Sequence, residues 1–217
     1  MKTVRILLVD DHEMVRQGLK AVLEAHGGGW EVCGEATTGR QAVALARELR
    51  PQIVVMDVTM PELGGLEATR QIRAVLPRTE VLILTMHDSE QLVREVLTAG
   101  ARGYLLKSDA GHALVSAVEA LAQHKPFFTS KVSELVLGGF LNPQKPGETE
   151  ISDRLTPRER EIVQLLGEGK SNKEVAGVLG ISVKTAETHR TNIMRKLEVR
   201  SISELVRYAI RNKIVEA

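Results

Sequence analysis

Ile53-Val-Val-Met-Asp57 decides the fold: four apolar residues run without a polar break and end on a carboxylate. A strand with one wet face alternates apolar and polar residues, whereas a strand buried on both faces is apolar throughout. Ile6-Leu-Leu-Val9 and Val81-Leu-Ile-Leu84 have the same form. Working outward, the candidate strands are Val4–Asp10, Glu31–Glu35, Ile53–Asp57, Val81–Thr85 and Gly103–Leu106. Between them, apolar residues recur at helical spacing: Met14, Val15, Leu19, Val22 and Leu23, then Val43, Leu45, Ala46 and Leu49. Further helical stretches run over 66–76, 91–99 and 114–121, and Asp88-Ser-Glu-Gln91 reads as a capping box opening the fourth helix, over 91–99. Five such units predict an α/β, doubly wound, five-stranded parallel sheet of flavodoxin-like order, with ligands beyond the carboxyl ends of its strands.

The pattern lapses after residue 124. Asn142-Pro-Gln-Lys-Pro-Gly147 has linker composition, with room for one short helix over 132–137. From about residue 151 the chain reads as wholly helical. Thr156-Pro-Arg-Glu159, Ser171-x-x-Glu174 and Ser201-x-x-Glu204 carry helix-start chemistry, and Ser182 opens another helix. The expected organisation is a domain over 1–124, a linker over 125–150 and a small all-α four-helix domain over 151–217. Its helices fall at roughly 157–166, 171–179, 183–197 and 201–212.

Composition narrows the function classes. Aromatic residues make up only 3% of the chain, so aliphatic side chains must fill both cores. No apolar run approaches the roughly 20 residues of a membrane helix, and nothing precedes the first strand that resembles a signal peptide. A single cysteine, Cys33, excludes an intrachain disulfide and reads as a small buried hydrophobe. The six histidines lack metal-ligand spacing. These features predict a cytoplasmic protein without a membrane partner. Residues 151–217 carry 13 Lys/Arg against 9 Asp/Glu, whereas residues 1–150 carry 16 against 19. The basic half points weakly to nucleic acid.

Chemistry concentrates at the strand ends. Asp10 and Asp11 follow the first strand and Asp57 ends the third, which is its neighbour in a doubly wound sheet. Any one of these acids could simply cap the next helix; acids after two different apolar strands make a shared pocket. Three carboxylates at close range repel unless a cation intervenes, and Mg²⁺ suits such oxygen ligands while leaving sites for water and phosphate. Thr85 ends the fourth strand with a hydroxyl and Lys107 follows the fifth with an ammonium. The set is a phosphoryl site: a carboxylate nucleophile, a metal, a hydroxyl and a cation.

Val-Asp-Asp-His (9–12), Met-Asp-Val-Thr-Met-Pro (56–61) with Gly64-Gly65, Leu-Thr (84–85) and Leu-Leu-Lys (105–107) resemble the response-regulator receiver domain over about residues 3–122. The resemblance implies that Asp57 accepts phosphate from the phosphohistidine of a sensor histidine kinase. It implies Mg²⁺ held by Asp10, Asp11, Asp57 and the Thr59 carbonyl, with Lys107 on the phosphoryl group. It also implies that the Thr85 hydroxyl moves toward the phosphate and that Tyr104 swings inward. Ser108 stands where receivers commonly have proline.

In the second half, residues 171–197 read as helix, tight turn at Gly180, then a longer second helix that would lie in a major groove. Ile181, Val183, Ala186, Ile193, Met194 and Leu197 are its expected core face; Lys184, Thr185, Glu187, Thr188 and Thr191 are its polar face. Leu-Thr-Pro-Arg-Glu-Arg-Glu (155–161), Gly-Lys-Ser-Asn-Lys-Glu-Val-Ala (169–176) and Ser-Val-Lys-Thr-Ala-Glu-Thr-His (182–189) resemble the LuxR-type helix-turn-helix over about 152–213. Both halves together resemble the NarL/FixJ class of response regulators. The resemblance implies base reading by Glu187, Thr188 and Thr191, phosphate contacts from Lys184, Arg190 and Lys196, and dimer contacts at Leu205, Val206 and Ala209. The implied function is a phosphorylation-controlled transcriptional regulator, not a turnover enzyme, that forms a homodimer on promoter DNA.

Two other classes compete. A phosphatase using Asp57 would favour a second Asp two residues on, where this chain has Thr59, and it would need a substrate cap. A signalling adaptor whose helical domain binds protein would lack salt-dependent retention on DNA. Gly169-Lys-Ser171 imitates the end of a Walker A loop, but Gln164 holds the required upstream glycine position and a helix precedes it.

Overall fold

The computed structural model describes residues 3–87, 89–129, 132–133, 155–212 and 214–215. The chain folds as two compact units. The first alternates strands and helices: β1 (Val4–Val9), α1 (Glu13–Ala25), β2 (Trp30–Ala36), α2 (Gly39–Leu49), β3 (Ile53–Asp57), α3 (Gly65–Val75), β4 (Glu80–Thr85), α4 (Glu90–Thr98), β5 (Gly103–Leu106), α5 (Ala110–Ala122) and β6 (Phe127–Phe128). A single 3₁₀ turn, Lys107–Asp109, joins β5 to α5.

The strands lie in the order β2-β1-β3-β4-β5-β6, all parallel. The order reverses between β1 and β3, which makes their carboxyl ends the crevice of a doubly wound sheet. As the continuous apolar runs require, every residue of β3 and β4 is buried. On one face Ile6, Leu8, Val55, Leu82, Leu84 and Leu105 pack under Leu19 and Leu23 of α1 and Leu114, Val118 and Leu121 of α5. Each such side chain taken out of water contributes about 1.5–3 kcal/mol.

The sheet has six strands where the sequence predicts five. β6 is two residues long and lies in the stretch read as linker; it pairs Gly103 with Phe127 and Tyr104 with Phe128. Two residues are too short to show a period, so β6 left no alternation to read. The α4 cap also differs. Ser89 caps this helix by accepting from the Leu92 N–H at 3.3 Å, one position after the expected start, and Asp88 lies outside the described residues. Of the proposed 132–137 helix, Val132 and Ser133 are helical, and the remainder lies outside the described residues, as does most of the linker. Cys33 is half-buried; its thiol donates to the Ile6 carbonyl at 3.3 Å, and burial pushes its pKa up.

The second unit comprises α6 (Pro157–Gly167), α7 (Asn172–Leu179), α8 (Val183–Lys196) and α9 (Ile202–Arg211). Thr156 and Ser171 form reciprocal capping boxes with Glu159 and Glu174, and Ser182 caps α8 by accepting from Thr185. Ser201 accepts from Glu204 N, but the Glu204 carboxylate accepts from Arg200 N, so this box is only half formed. Gly180 ends α7 at φ 64°, a left-handed conformation that makes the tight turn into α8. Ile162, Leu165, Leu166, Val175, Ala186, Ile193, Leu205 and Ala209 form this unit's core.

Candidate functional site

The β-ladder sets the site. Val9 pairs with Met56, Asp57 with Leu84, and Thr85 with Leu106. Asp10, Asp57, Thr85 and Lys107 therefore emerge at consecutive strand ends. The Lys107 ammonium lies 2.8 Å from Asp57 Oδ2 and 2.7 Å from Asp10 Oδ2, bridging the two acids. Asp57 Oδ1 accepts from the Val58 N–H at 2.8 Å. Asp10 and Asp57 are only 1% and 5% exposed, so their charges sit where solvent screens them poorly. Burial, then the neighbouring Asp10, push the Asp57 pKa up to about 6 against the pull of Lys107 and the Val58 N–H. Burial disfavours the charge on Lys107, but its bonds to Asp10 and Asp57 outweigh that and raise its pKa.

One lysine cannot neutralise three carboxylates. Oxygens of Asp10, Asp11 and Asp57 and the ring nitrogen of His12 lie within 4.8 Å of one another. Asp10 Oδ2 is buried without a hydrogen bond of normal geometry, its only close polar neighbour among the described contacts being the Lys107 ammonium. Hard oxygen donors crowded around an under-neutralised buried charge fit a divalent cation. Thr59 follows β3 by two residues and is half-buried.

Gly65 has a function the motif alone did not reveal. A Cβ there would lie 1.8 Å from the Asp57 carbonyl oxygen, so α3 can approach the acceptor strand only through a glycine. The Gly65 N–H also donates to the Val58 carbonyl at 2.8 Å, fixing the turn that follows Asp57.

Thr85 and Tyr104 meet at a residue the sequence did not single out. The Thr85 hydroxyl accepts from the His87 N–H at 3.2 Å, and the Tyr104 hydroxyl donates to the His87 carbonyl. Both are buried, Thr85 at 2% and Tyr104 at 0% exposure. Tyr104 already points inward, clasping the loop after β4.

On α8, Lys184, Thr185, Glu187, Thr188 and Thr191 are exposed and Arg190 is half-buried. The hydroxyls of Thr188 and Thr191 donate to the Lys184 and Glu187 carbonyls, and Thr185 bonds the Ser182 hydroxyl. Their polar atoms thus turn back on the helix, as threonines on helices commonly do. Lys196 pairs with Glu159 at 2.6 Å. Burial opposes the Glu159 charge, but Lys196 and the Thr156 groups overcome it and hold its pKa below the usual carboxylate range. Ala186 and Ile193 are core and Ile181 and Leu197 pack against it, but Val183 is exposed, a correction to the expected core face. As the first residue of α8, Val183 precedes the turn that faces the core.

Two expected dimer contacts also need correction. Leu205 and Ala209 are 0% exposed and belong to the unit's own core, while Val206 is half-buried. The apolar residues that α9 presents outward are Ile202 and Ile210, in one stripe with Val206.

Comparison with known proteins bears on both units. Residues 6–119 match the response regulator receiver domain, and residues 153–209 match the bacterial regulatory proteins of the luxR family. The chain is 42% identical to the transcriptional regulatory protein LiaR of Bacillus subtilis over 213 residues, covering 98% of this chain and 99% of that protein. A LuxR-family two-component response regulator from Aurantimonas is similar at 38% identity and TM-score 0.61, over 65% of this chain and 100% of that one. The RcsB response regulator of Salmonella typhimurium is similar at 26% identity and TM-score 0.58, over 96% and 98%. Among the described residues, no helix is long and apolar enough to cross a membrane.

Proposed function

Since the chain belongs to the LuxR-type two-component response regulators, with a receiver and a DNA-binding helix-turn-helix, we propose that phosphorylation of Asp57 controls its binding to promoter DNA. The observation that carries this reading is the Lys107 bridge to Asp57 and Asp10, 2.8 and 2.7 Å long, in a pocket at the switch point of the sheet.

Asp57 acts as the nucleophile. A pKa of about 6 leaves roughly nine-tenths of it ionised at pH 7, with a basicity well matched to attack. Its carboxylate oxygen forms a bond to phosphorus as the bond from phosphorus to the donor's histidine nitrogen breaks, and that nitrogen leaves with the bonding pair. Lys107 stands where charge gathers on the equatorial oxygens, and the Val58 N–H orients the carboxylate. Asp10, Asp11 and Asp57, with the Thr59 carbonyl, would hold Mg²⁺, which when bound supplies charge neutralisation and a template for the phosphoryl oxygens. The chain catalyses only its own modification and its reversal; it does not turn over a substrate.

The Thr85 hydroxyl is the first responder. A hydroxyl both donates and accepts, so it can donate to a phosphoryl oxygen while keeping the His87 N–H. Movement toward the phosphate then draws His87, and with it the acceptor of Tyr104, so the loop after β4 reports occupancy of Asp57.

The partners are a sensor histidine kinase, promoter DNA and a second copy of the chain, all met in the cytoplasm. RcsB has been solved as dimers bound to DNA. In this chain Glu187, Thr188 and Thr191 read bases, Thr185 flanks them, and Lys184, Arg190 and Lys196 meet phosphates. Because Leu205 and Ala209 are internal, Ile202, Val206 and Ile210 become the dimer contact. The domains proposed are a receiver over 1–124, a linker over 125–150 and a DNA-binding domain over 151–217, with the receiver's sheet extended past residue 124 by the edge strand β6.

The test is selection from random DNA with and without acetyl phosphate and Mg²⁺, comparing wild type with Asp57→Ala. Phosphodonor-dependent enrichment of a palindromic site by wild type alone is the expected result. Equal enrichment by Asp57→Ala, or none by either protein, overturns the proposal.

A further inference from the structure

The loop that carries Asp10 and Asp11 is held from behind by a side chain to which the phosphoryl chemistry gives no role. Arg16 lies one turn into α1, and its guanidinium folds back over the end of β1. Its Nη1 donates to the Asp10 carbonyl at 2.7 Å and its Nε to Glu35 Oε2 at 3.4 Å. Glu35 stands near the end of β2, opposite Leu8 in the ladder, and its other oxygen accepts from the Lys20 ammonium at 3.0 Å. The Lys20 hydrogen bond, with the charges of Lys20 and Arg16, holds the Glu35 carboxyl below the usual carboxylate range against the pull of burial. The line of contacts thus runs from Lys20 through Glu35 and Arg16 to the main chain at Asp10.

Two features set these contacts apart from ordinary surface pairing. An exposed ion pair contributes little because water screens it, but the Arg16 side chain is only 12% exposed. A guanidinium also presents its donors in a rigid fork, so it holds a carbonyl and a carboxylate at once in fixed directions. Asp10 has further anchors: its N–H donates to the Ala36 carbonyl at 3.1 Å, and its Oδ1 accepts from the His12 N–H at 2.9 Å. Asp11 has fewer. Among the described contacts its carboxylate meets only the largely exposed His12 ring. The direction of that carboxylate therefore depends on the peptide joining Asp10 to Asp11, and Arg16 holds the oxygen of that peptide.

We propose that Arg16, braced by Glu35 and Lys20, is a positioning residue for phosphoryl transfer to Asp57. By fixing the carbonyl between Asp10 and Asp11, it aims the Asp11 carboxylate into the acceptor pocket. The inference rests on the reading of that pocket as a Mg²⁺-dependent phosphoacceptor site. Arg16 acts through the loop, so its loss changes how readily the pocket assembles and leaves the bond-making step itself intact.

Labelling of the full chain by acetyl phosphate, followed as MgCl₂ is varied, tests this. Wild type, Arg16→Met, Arg16→Lys, Glu35→Gln and Asp57→Ala are compared. Calorimetry measures Mg²⁺ binding to each unphosphorylated chain, and hydrogen exchange of the His12 amide is read without the metal. Losing a group that orients ligands typically costs about 10–100-fold. Arg16→Met should raise the half-saturating MgCl₂ by that factor and weaken calorimetric Mg²⁺ binding equally. Its rate at saturating MgCl₂ should return close to that of wild type, and its His12 amide should exchange faster. Arg16→Lys and Glu35→Gln should shift the half-saturating MgCl₂ in the same direction by less, since an ammonium lacks the fork and an amide lacks the charge. They carry the comparison if Arg16→Met does not fold. A merely structural role would lower the fraction of chains that label and leave the half-saturating MgCl₂ unchanged. That result, or wild-type Mg²⁺ affinity in the Arg16 variants, overturns the inference and leaves Asp57 as the acceptor. If Asp57→Ala labels as wild type does, or wild type takes no label or ignores MgCl₂, the reading of the pocket falls and the inference falls with it.

Discussion

Asp57→Asn should make the receiver more stable at neutral pH in the absence of divalent cations. The Asp57 pKa rises from 3.8 to about 6 on folding, mainly through burial. A carboxyl group raised in this way favours the folded state below the unfolded pKa and loses that contribution as pH climbs through the folded one. At 1.36 kcal/mol per unit, roughly two units place about 3 kcal/mol of penalty on the ionised wild type by pH 7. Asparagine keeps the shape without the charge. Lys107 retains Asp10 at 2.7 Å, so the substitution leaves no orphaned ammonium. The new amide must, however, turn one N–H toward a donor, which removes about 1 kcal/mol of the gain. The net expectation is about 2 kcal/mol at pH 7–8, a urea midpoint about 1 M higher for a slope of ~2 kcal/mol/M. Trp30, the chain's single tryptophan, lies on β2, so its fluorescence reports the receiver alone within the intact protein. The gap should shrink toward pH 4, where both side chains are neutral, and should also narrow when Mg²⁺ binds wild type and stabilises it by mass action. An Asp57→Asn midpoint at or below wild type at pH 8 in EDTA, or a gap that ignores pH, would refute the reasoning.

Gly65→Ala should lower stability by at least about 2–3 kcal/mol, because its Cβ meets the Asp57 carbonyl oxygen at 1.8 Å and the main chain must yield. Folded Gly65→Ala should also label more slowly with acetyl phosphate than wild type, and equal rates on the two proteins would contradict the positioning role given to that turn. Lys196→Met should weaken binding to all DNA sequences alike and flatten the slope of log affinity against log salt by about one, whereas Glu187→Ala should alter sequence preference without flattening it; competition binding at several salt concentrations separates them. Ile210→Glu should leave the unfolding midpoint within about 0.5 kcal/mol and abolish cooperative binding to a paired site, while Leu205→Ala should lose about 2–5 kcal/mol of stability. Sedimentation on a two-half-site DNA reads the first, and hydrogen exchange in α9 the second.

The five long strands and the acids at their ends were legible because burial on both faces and convergence at strand termini are properties of residue order. What escaped depends on atoms rather than order. β6 is only Phe127–Phe128, too short to carry a period. On α9, helical spacing offered an inner row through Leu205 and Ala209 and an outer row through Ile202, Val206 and Ile210; both are apolar, and only packing tells them apart. His12 stood beside the two acids in the sequence, but its ring direction depends on side-chain torsions and on the cap it declines to make. His87 escaped for another reason. It is held through its backbone N–H and carbonyl, which carry no residue identity for a motif to record.

The charge balance of the pocket ties the stability argument to the switch. Three carboxylates against one ammonium leave two negative charges uncompensated; burial first and the neighbouring Asp10 second penalise the Asp57 charge in the cation-free protein, and one divalent ion would offset the deficit. Phosphorylation exchanges a singly charged carboxylate for a doubly charged acyl phosphate, so one negative charge returns even with the ion in place. Lys107 is already shared between two acids and has little more to give. The Thr85 hydroxyl stands at the end of the strand beside Asp57, and its bond to His87 uses its oxygen as acceptor, which leaves its proton able to donate. Recruiting it satisfies the new charge and moves His87 and the Tyr104 clasp in the same step. On this account Thr85→Ala should still accept phosphate from acetyl phosphate but lose the phosphorylation-dependent gain in DNA affinity, whereas Thr85→Ser should retain much of both. A Thr85→Ala protein whose DNA affinity still rises on phosphorylation would place the switch in some other group.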